Sequence, residues 1–273
     1  MDNPYAHLVI YNFDGLPDLP SHLDNDPRFL GCWEEDGTSF VFFNSRADDF
    51  MDALCKAHPT IPLTGVYEMT GEEWHGDEIL PYSVGNLLIS PPWDILPGRK
   101  QILLDPGVVF GTGRHPTTES CLDLIQYICE KDGISRAMDI GTGTGLLALG
   151  AAALGVPSVL ACDFNFLAVQ TCRRNILLND MEEQILAFQA RGEDIMEIPC
   201  DLLVANIHYD VMKDLILHPA LGRVKWILLS GILNSQTRQV MADLKAANIH
   251  VLQRRCPDGI WNTLLARPAF FLD

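Results

Sequence analysis

Seven residues, Asp139-Ile-Gly-Thr-Gly-Thr-Gly145, constrain this chain more than any other stretch. They follow the short apolar run Ala137-Met138 and open into Leu146-Leu-Ala-Leu-Gly-Ala-Ala-Ala-Leu154, a pattern that predicts a strand, a glycine turn and a helix. Glycines at 141, 143 and 145 let the backbone take positive φ and let a ligand approach where a Cβ would stand. Asp163 lies twenty-two residues beyond Gly141, at the end of Ser158-Val-Leu-Ala-Cys-Asp163. A carboxylate there can accept hydrogen bonds from both hydroxyls of a ribose. A glycine triplet alone is equally compatible with an ordinary βα turn, and it is the spacing to Asp163 that favours a nucleoside site. The third glycine comes one residue too early for the G-x-G-x-x-G turn of dinucleotide folds.

Composition narrows the surroundings of that site. A chain of 273 residues with 48% apolar side chains can build one large domain, or a large and a small one. Its longest nearly uniform apolar run, Gly145 to Val156, is shorter than the roughly 20 residues that span a bilayer, and Met1-Asp-Asn-Pro-Tyr5 has no basic region. A cytoplasmic location with no membrane contact is therefore expected. Eight cysteines without a C-x-x-C pair read as buried reduced thiols, and eight histidines without H-E-x-x-H spacing predict no metal. The net charge of −17 is uneven: residues 1–90 hold sixteen Asp or Glu against Arg28, Arg46 and Lys56, a balance of −13. Such a surface repels phosphate backbones and attracts a basic partner, so direct nucleic-acid binding is not expected. Without a long exposed apolar stripe, a monomer is expected.

The order of periodic segments predicts the architecture. Strands are expected at His7–Tyr11, Phe29–Trp33 and Ser39–Phe43, the last two joined by a hairpin turn at Glu35–Thr38, with a helix over Ala47–His58. This describes a small acidic α+β domain over residues 1–70. The polar, acidic stretch 71–84 reads as a linker, and a main domain follows over 85–273. Its opening strands, Asn86–Ile89 and Gln101–Leu104, are separated by Pro91, Pro92 and Pro97, which should keep both out of a sheet centre. The glycine-rich segment Asp105–Thr118 then runs into a helix to Lys131, with Pro116 in its first turn and the hydroxyls of Thr117 and Thr118 beside its free N–H groups. Strands at 158–163, 185–190, 201–206 and 225–230 alternate with helices at 166–179, 210–217 and 234–247, which argues for an α/β fold with a parallel sheet covered on both faces. Ile249–Arg255 and Trp261–Arg267 predict a closing antiparallel hairpin.

Five motifs in order, LDPGVVFGTGRHPTT ending at Thr118, MDIGTGTG (138–145), ACD (161–163), LLVANI (202–207) and LLSGIL (228–233), make the chain similar to the PrmA family, the ribosomal protein L-eleven methyltransferases. Trp74 and Ser90-Pro-Pro-Trp93 fit the same resemblance. It covers residues 72–267 specifically and the first seventy only in layout. It implies a class I methyltransferase (Rossmann-like) fold, a seven-stranded mostly parallel sheet, S-adenosyl-L-methionine as cofactor, and a basic ribosomal protein as partner. The implied reaction is methyl transfer to lysine or N-terminal amines, with the small acidic domain recognising the substrate. By the resemblance Thr118, Gly141, Asp163 and Asn206 contact the cofactor; Phe110, Gly111, Thr112, Asp139 and Gly143 beside them complete the expected set.

Asn206 is also the expected catalytic residue, its side-chain oxygen accepting the amine's N–H bonds and aiming the lone pair. His208 and Tyr209 are candidates to move a proton or to wall a methylated ammonium. Arg114, Asn165, His208-Tyr-Asp210 and Gly259-Ile-Trp-Asn-Thr263 depart from the usual family residues, and they bear on the acceptor rather than the cofactor. Two alternatives stay open at the level of sequence: a methyltransferase of this lineage acting on another protein's lysine, and a non-catalytic S-adenosyl-L-methionine-binding protein.

Overall fold

In the computed structural model, which describes residues 2–272, the chain divides into two units. One comprises the chain up to Ile79 together with Pro106–Phe110; the other comprises Leu80–Asp105 and the chain from Gly111 onward.

The first unit contains β1 (Leu8–Phe13), β2 (Phe29–Glu35), β3 (Thr38–Phe43), α1 (Asp48–Ala57), β4 (Leu63–Met69) and α2 (Gly71–His75), with a 3-10 turn at Ser21–Asn25. Its sheet is antiparallel in the order β2-β3-β1-β4. Alternate residues Val9, Tyr11 and Phe13 of β1, with Val41 and Phe43 of β3, pack against Met51 and Leu54 of α1, as a period of two requires of a sheet with one covered face. Asp36 and Gly37 both take positive φ in the tight turn between β2 and β3, the conformation a two-residue hairpin loop needs. Strand β4 has no counterpart in the sequence reading. It is an edge strand of largely exposed residues, so it lacks apolar alternation and is defined by pairing with β1 alone.

The expected linker over 71–84 is more structured than its polarity suggested. Thr70 and Glu73 form a reciprocal capping box at the start of α2, the arrangement that satisfies two otherwise orphaned N–H groups. Trp74 donates to the Val108 carbonyl at 3.0 Å and meets Phe42 edge-on. The change of unit therefore falls between Ile79 and Leu80.

The second unit opens with a three-stranded sheet of β5 (Tyr82–Val84), β6 (Leu87–Ser90) and β7 (Ile102–Leu103). Strand β7 lies at the sheet edge as expected, but for β6 the expectation fails: it is the central strand, antiparallel to β5 and parallel to β7. Pro91 and Pro92 lie just past its last paired residue, Ser90, so no ladder donor is lost. Next come α3 (Pro116–Lys131), β8 (Ala137–Ile140), α4 (Leu146–Ala153), β9 (Val159–Asp163), α5 (Phe166–Leu178), β10 (Ile185–Gln189), α6 (Gly192–Ile195) and β11 (Leu202–Asn206). The chain closes with α7 (Tyr209–Leu217), β12 (Trp226–Leu233), α8 (Thr237–Ala246), β13 (Ile249–Arg255) and β14 (Trp261–Pro268). The strand order is β10-β9-β8-β11-β12-β14-β13, parallel except for β14.

Two apolar layers cover the sheet. Leu122 and Ile125 of α3, Leu149 of α4 and Ile176 of α5 join one; Met212 and Leu215 of α7 with Val240 and Leu244 of α8 join the other. Strands buried on both sides need no alternation, which is why β8, β9, β11 and β12 read as continuous apolar runs. From β8 the chain winds out through β9 and β10, then returns to β11 on the other side of β8. At such a reversal the connections diverge and leave a crevice at the carboxyl ends of the strands. Ile140 pairs with both Cys162 and Ala205, so the residues that follow, Gly141, Asp163 and Asn206, emerge level with one another at that edge.

Candidate active site

The turn leaving β8 is built by its glycines. Gly141, Gly143 and Gly145 adopt φ of 71°, 54° and 86°, a region that side chains disfavour. The N–H groups of Gly141 and Thr142 donate to the Cys162 carbonyl at 2.9 and 3.0 Å, which anchors the turn to β9. A Cβ on Gly141 would run into Cγ2 of Ile207, the residue after Asn206, so the bare backbone lets two strand ends approach.

Two carboxylates flank this turn. Asp139 is 2% exposed; its Oδ2 accepts the Thr142 hydroxyl at 2.6 Å, and its Oδ1 has no well-aligned partner among the described residues. Burial pushes its pKa up to about 7, because a charge without solvent is costly. Asp163 accepts from the Gly143 N–H at 3.1 Å and the Asn165 N–H at 3.0 Å. Burial raises its pKa too, opposed by those N–H groups. One oxygen, Oδ2, thus reaches from the tip of β9 into the glycine turn, while Oδ1 faces the start of α5.

The segment before α3 is fastened to the same turn. The Thr144 hydroxyl donates to the Gly111 carbonyl at 2.7 Å, and the Tyr82 hydroxyl to the Thr112 carbonyl at 3.2 Å. Asn175 of α5, fully buried, receives the Asp105 N–H and donates to the carbonyls of Asp105 and Thr144, each at 2.8 Å. His115 caps α3, its Nδ1 lying 2.7 Å from the Thr117 hydroxyl and 3.3 Å from the Thr117 N–H. At the tip of β11, Nδ2 of Asn206 donates to Oγ1 of Thr117 at 3.2 Å and of Thr118 at 3.4 Å. One cluster therefore joins the start of α3 to the end of β11.

The residues singled out in sequence fall into three groups. Gly141, Gly143, Asp139 and Asp163 share the turn; Thr118 and Asn206 touch one another; Gly111 and Thr112 are tied down by Thr144 and Tyr82. Phe110 belongs to the first unit and is more than half exposed. His208 is exposed at the start of α7. Tyr209 directs its hydroxyl to Asp243 of α8 at 3.5 Å and packs on the core beneath that helix, so it joins α7 to α8 rather than turning to Asn206.

Several departures from the family pattern find structural uses. Asn165 caps α5 by accepting the Leu167 N–H at 2.9 Å. The Arg114 guanidinium lies 5.2 Å from the centre of the Tyr82 ring and donates to the Leu80 carbonyl at 3.2 Å. Asn262, fully buried, accepts from Arg254 at 2.7 Å. Sequence reasoning passed over His115, Tyr82 and Asn175. Of these only Asn175 carries a signal, a polar residue on the apolar face that Cys172 and Ile176 define.

Among the described residues no group of three His, Cys, Asp or Glu could hold a metal ion, and no helix is long and apolar enough to cross a membrane.

The family described as "Ribosomal protein L11 methyltransferase (PrmA)" matches residues 45–268. Proteins of that name are similar to the chain: from Desulforamulus reducens, 33% identical over 193 residues, covering 68% of this chain and 61% of that protein; from Desulfitobacterium hafniense, 36% over 195 residues, covering 68% and 61%; and from Pelobacter propionicus, 31% over 239 residues, covering 81% and 75%. The chain thus spans about three-fifths of the length of the first two. Among solved structures, a ribosomal protein L11 methylase from Lactobacillus delbrueckii subsp. bulgaricus superposes with a TM-score of 0.60 at 26% identity, covering 69% of this chain and 99% of that one. On sequence and on fold, the chain belongs to the ribosomal protein L11 methyltransferase (PrmA) family.

Proposed function

We propose that this chain transfers methyl groups from S-adenosyl-L-methionine to amino groups of ribosomal protein L11. The residues present fit the cofactor: a glycine backbone in which a Cβ at 141 would collide, a carboxylate at the tip of β9 for ribose hydroxyls, and a second buried carboxylate, Asp139, whose Oδ1 has no well-aligned partner among the described residues. When bound, the cofactor supplies a methyl group activated by its sulfonium charge.

The chain's own residues would handle the amine. A lysine of pKa about 10.4 is roughly a thousandfold depleted in its neutral form at pH 7.4, about 4 kcal/mol. Withdrawing the amine from water lowers that cost by disfavouring its charged form, so no strong base is required. Asn206 carries the reading. Its NH2 is occupied by Thr117 and Thr118, which leaves Oδ1 to accept an amine N–H and hold the lone pair in line. Such orientation is worth about 2 to 4 kcal/mol. Supporting the substrate assignment are the names of the relatives and the acidity of residues 1–90, suited to a basic protein. The first unit would supply recognition.

The test is calorimetric titration with S-adenosyl-L-methionine, followed by radiolabel transfer to purified L11. Asn206→Ala is expected to lower kcat about 30- to 1000-fold; an unchanged rate would remove Asn206 from the chemistry. Binding without transfer to L11 would redirect the search to another acceptor.

A further inference from the structure

Asn206 serves an amine only if its carbonyl oxygen is presented and its NH2 is held elsewhere, since an amide that flips freely offers either end. The hydrogen bonds around it decide the matter. Nδ1 of His115 faces both the N–H and the hydroxyl of Thr117. A backbone N–H can only donate, so Nδ1 must carry a lone pair and the ring proton sits on Nε2. The Thr117 hydroxyl proton is drawn to that lone pair across the shorter distance, 2.7 Å, which leaves the Thr117 oxygen as an acceptor. Nδ2 of Asn206 fills that role at 3.2 Å. In the flipped amide, Oδ1 would instead meet, at its nearer partner Thr117, an oxygen whose proton is already committed, and would keep only the Thr118 hydroxyl, at 3.4 Å, as a donor. Trp261 braces the imidazole from the side, edge-on with ring centres 5.5 Å apart. Behind Asn206, the Ile207 N–H donates to the Ser230 carbonyl at 3.2 Å, so the backbone carrying the amide is held as well.

We infer that His115 is a positioning residue for methyl transfer: acting through the Thr117 hydroxyl, it locks the Asn206 amide with Oδ1 turned toward the acceptor amine. The inference rests on the function proposed above. It adds a dependence of that function on two residues which touch neither cofactor nor amine in this role. Trp261, a departure from the family pattern, gains a use in the same relay.

Two measurements on the full chain test it. Nitrogen-15 NMR should find His115 as the Nε2–H tautomer near neutral pH, and should find the Asn206 side-chain amide protected from exchange in the native protein but not in Thr117→Val. An Nδ1–H tautomer, or an Asn206 amide indifferent to Thr117→Val, would overturn the relay.

In kinetics, Thr117→Val keeps the His115 cap on the backbone N–H and removes only the hydroxyl. It should lower kcat about 10- to 100-fold, with KM for S-adenosyl-L-methionine and Tm near the native values, and Thr117→Ser should restore most of the rate. Adding His115→Ala to Thr117→Val should cost no further kcat, because both changes break one line of contacts. Additive losses would mean that His115 acts by another route and would reject the inference. If the native protein failed to methylate L11, the proposed function would fall, and the tautomer and amide signals would still decide this point.

Discussion

Asp139 shows how a single buried group sets a measurable dependence on pH. Its pKa rises from 3.8 in the free side chain to about 7 in the fold. A carboxyl raised in the folded state contributes stability that is complete below the unfolded value and is lost as pH climbs through the folded one. The protein free of cofactor should therefore lose about 4 kcal/mol of unfolding free energy between pH 4 and pH 7.5 through this group. Asp139→Asn should remove that slope, and urea titrations of both proteins across the range would show it; parallel curves would mean that Asp139 stays ionised. Gly141 offers a second residue-scale case. Alanine there would have to adopt a φ of 71° with its methyl against Ile207, a conformation that costs about 1 to 2 kcal/mol before the collision is counted. Gly141→Ala is expected to lower Tm and weaken S-adenosyl-L-methionine binding by calorimetry at least tenfold. These glycines and Asp163 were legible in the sequence because turn chemistry is local. The partners of Asn206 were not, because Thr117 and Thr118 lie nearly ninety residues away.

At the level of elements, the structure depends on a few side chains that join segments distant in the chain. Asn175 is the clearest: one amide in α5 serves the backbone at Asp105 and at Thr144. Asn175→Ala would remove three buried hydrogen bonds to that backbone, and a buried polar group that loses its partner costs about 1 to 3 kcal/mol. A loss of about 3 kcal/mol or more is expected in urea unfolding, and a loss under 1 would mean that water replaces the amide. The helices and central strands were legible from periodicity because their burial is strong. Strand β4 was not, since an edge strand with exposed side chains has no apolar pattern to show. The prolines that follow β6 argue against a central position, yet a proline beyond the last paired residue leaves the ladder intact. The segment 71–84 looked like a linker from its acidity, whereas Thr70 and Glu73 together carry the signature of a helix start.

Across the whole molecule, charge and chain order carry the consequences. The balance of −13 over residues 1–90 would attract a basic protein through a field that salt screens within about 10 Å at 0.1 M. KM for L11 should rise several-fold from low to high salt while the Kd of S-adenosyl-L-methionine changes far less; equal salt dependence would remove the acidic unit from substrate capture. The chain alone determined the kind of fold, the glycine turn and the carboxylate at the tip of β9, since each is written in neighbours a few residues apart. Tertiary structure alone decided which hydroxyls hold Asn206, that Tyr209 turns to Asp243, and that Pro106–Phe110 groups with the first unit rather than the second. Those outcomes depend on which segments meet in space, and separation along the chain carries no trace of it.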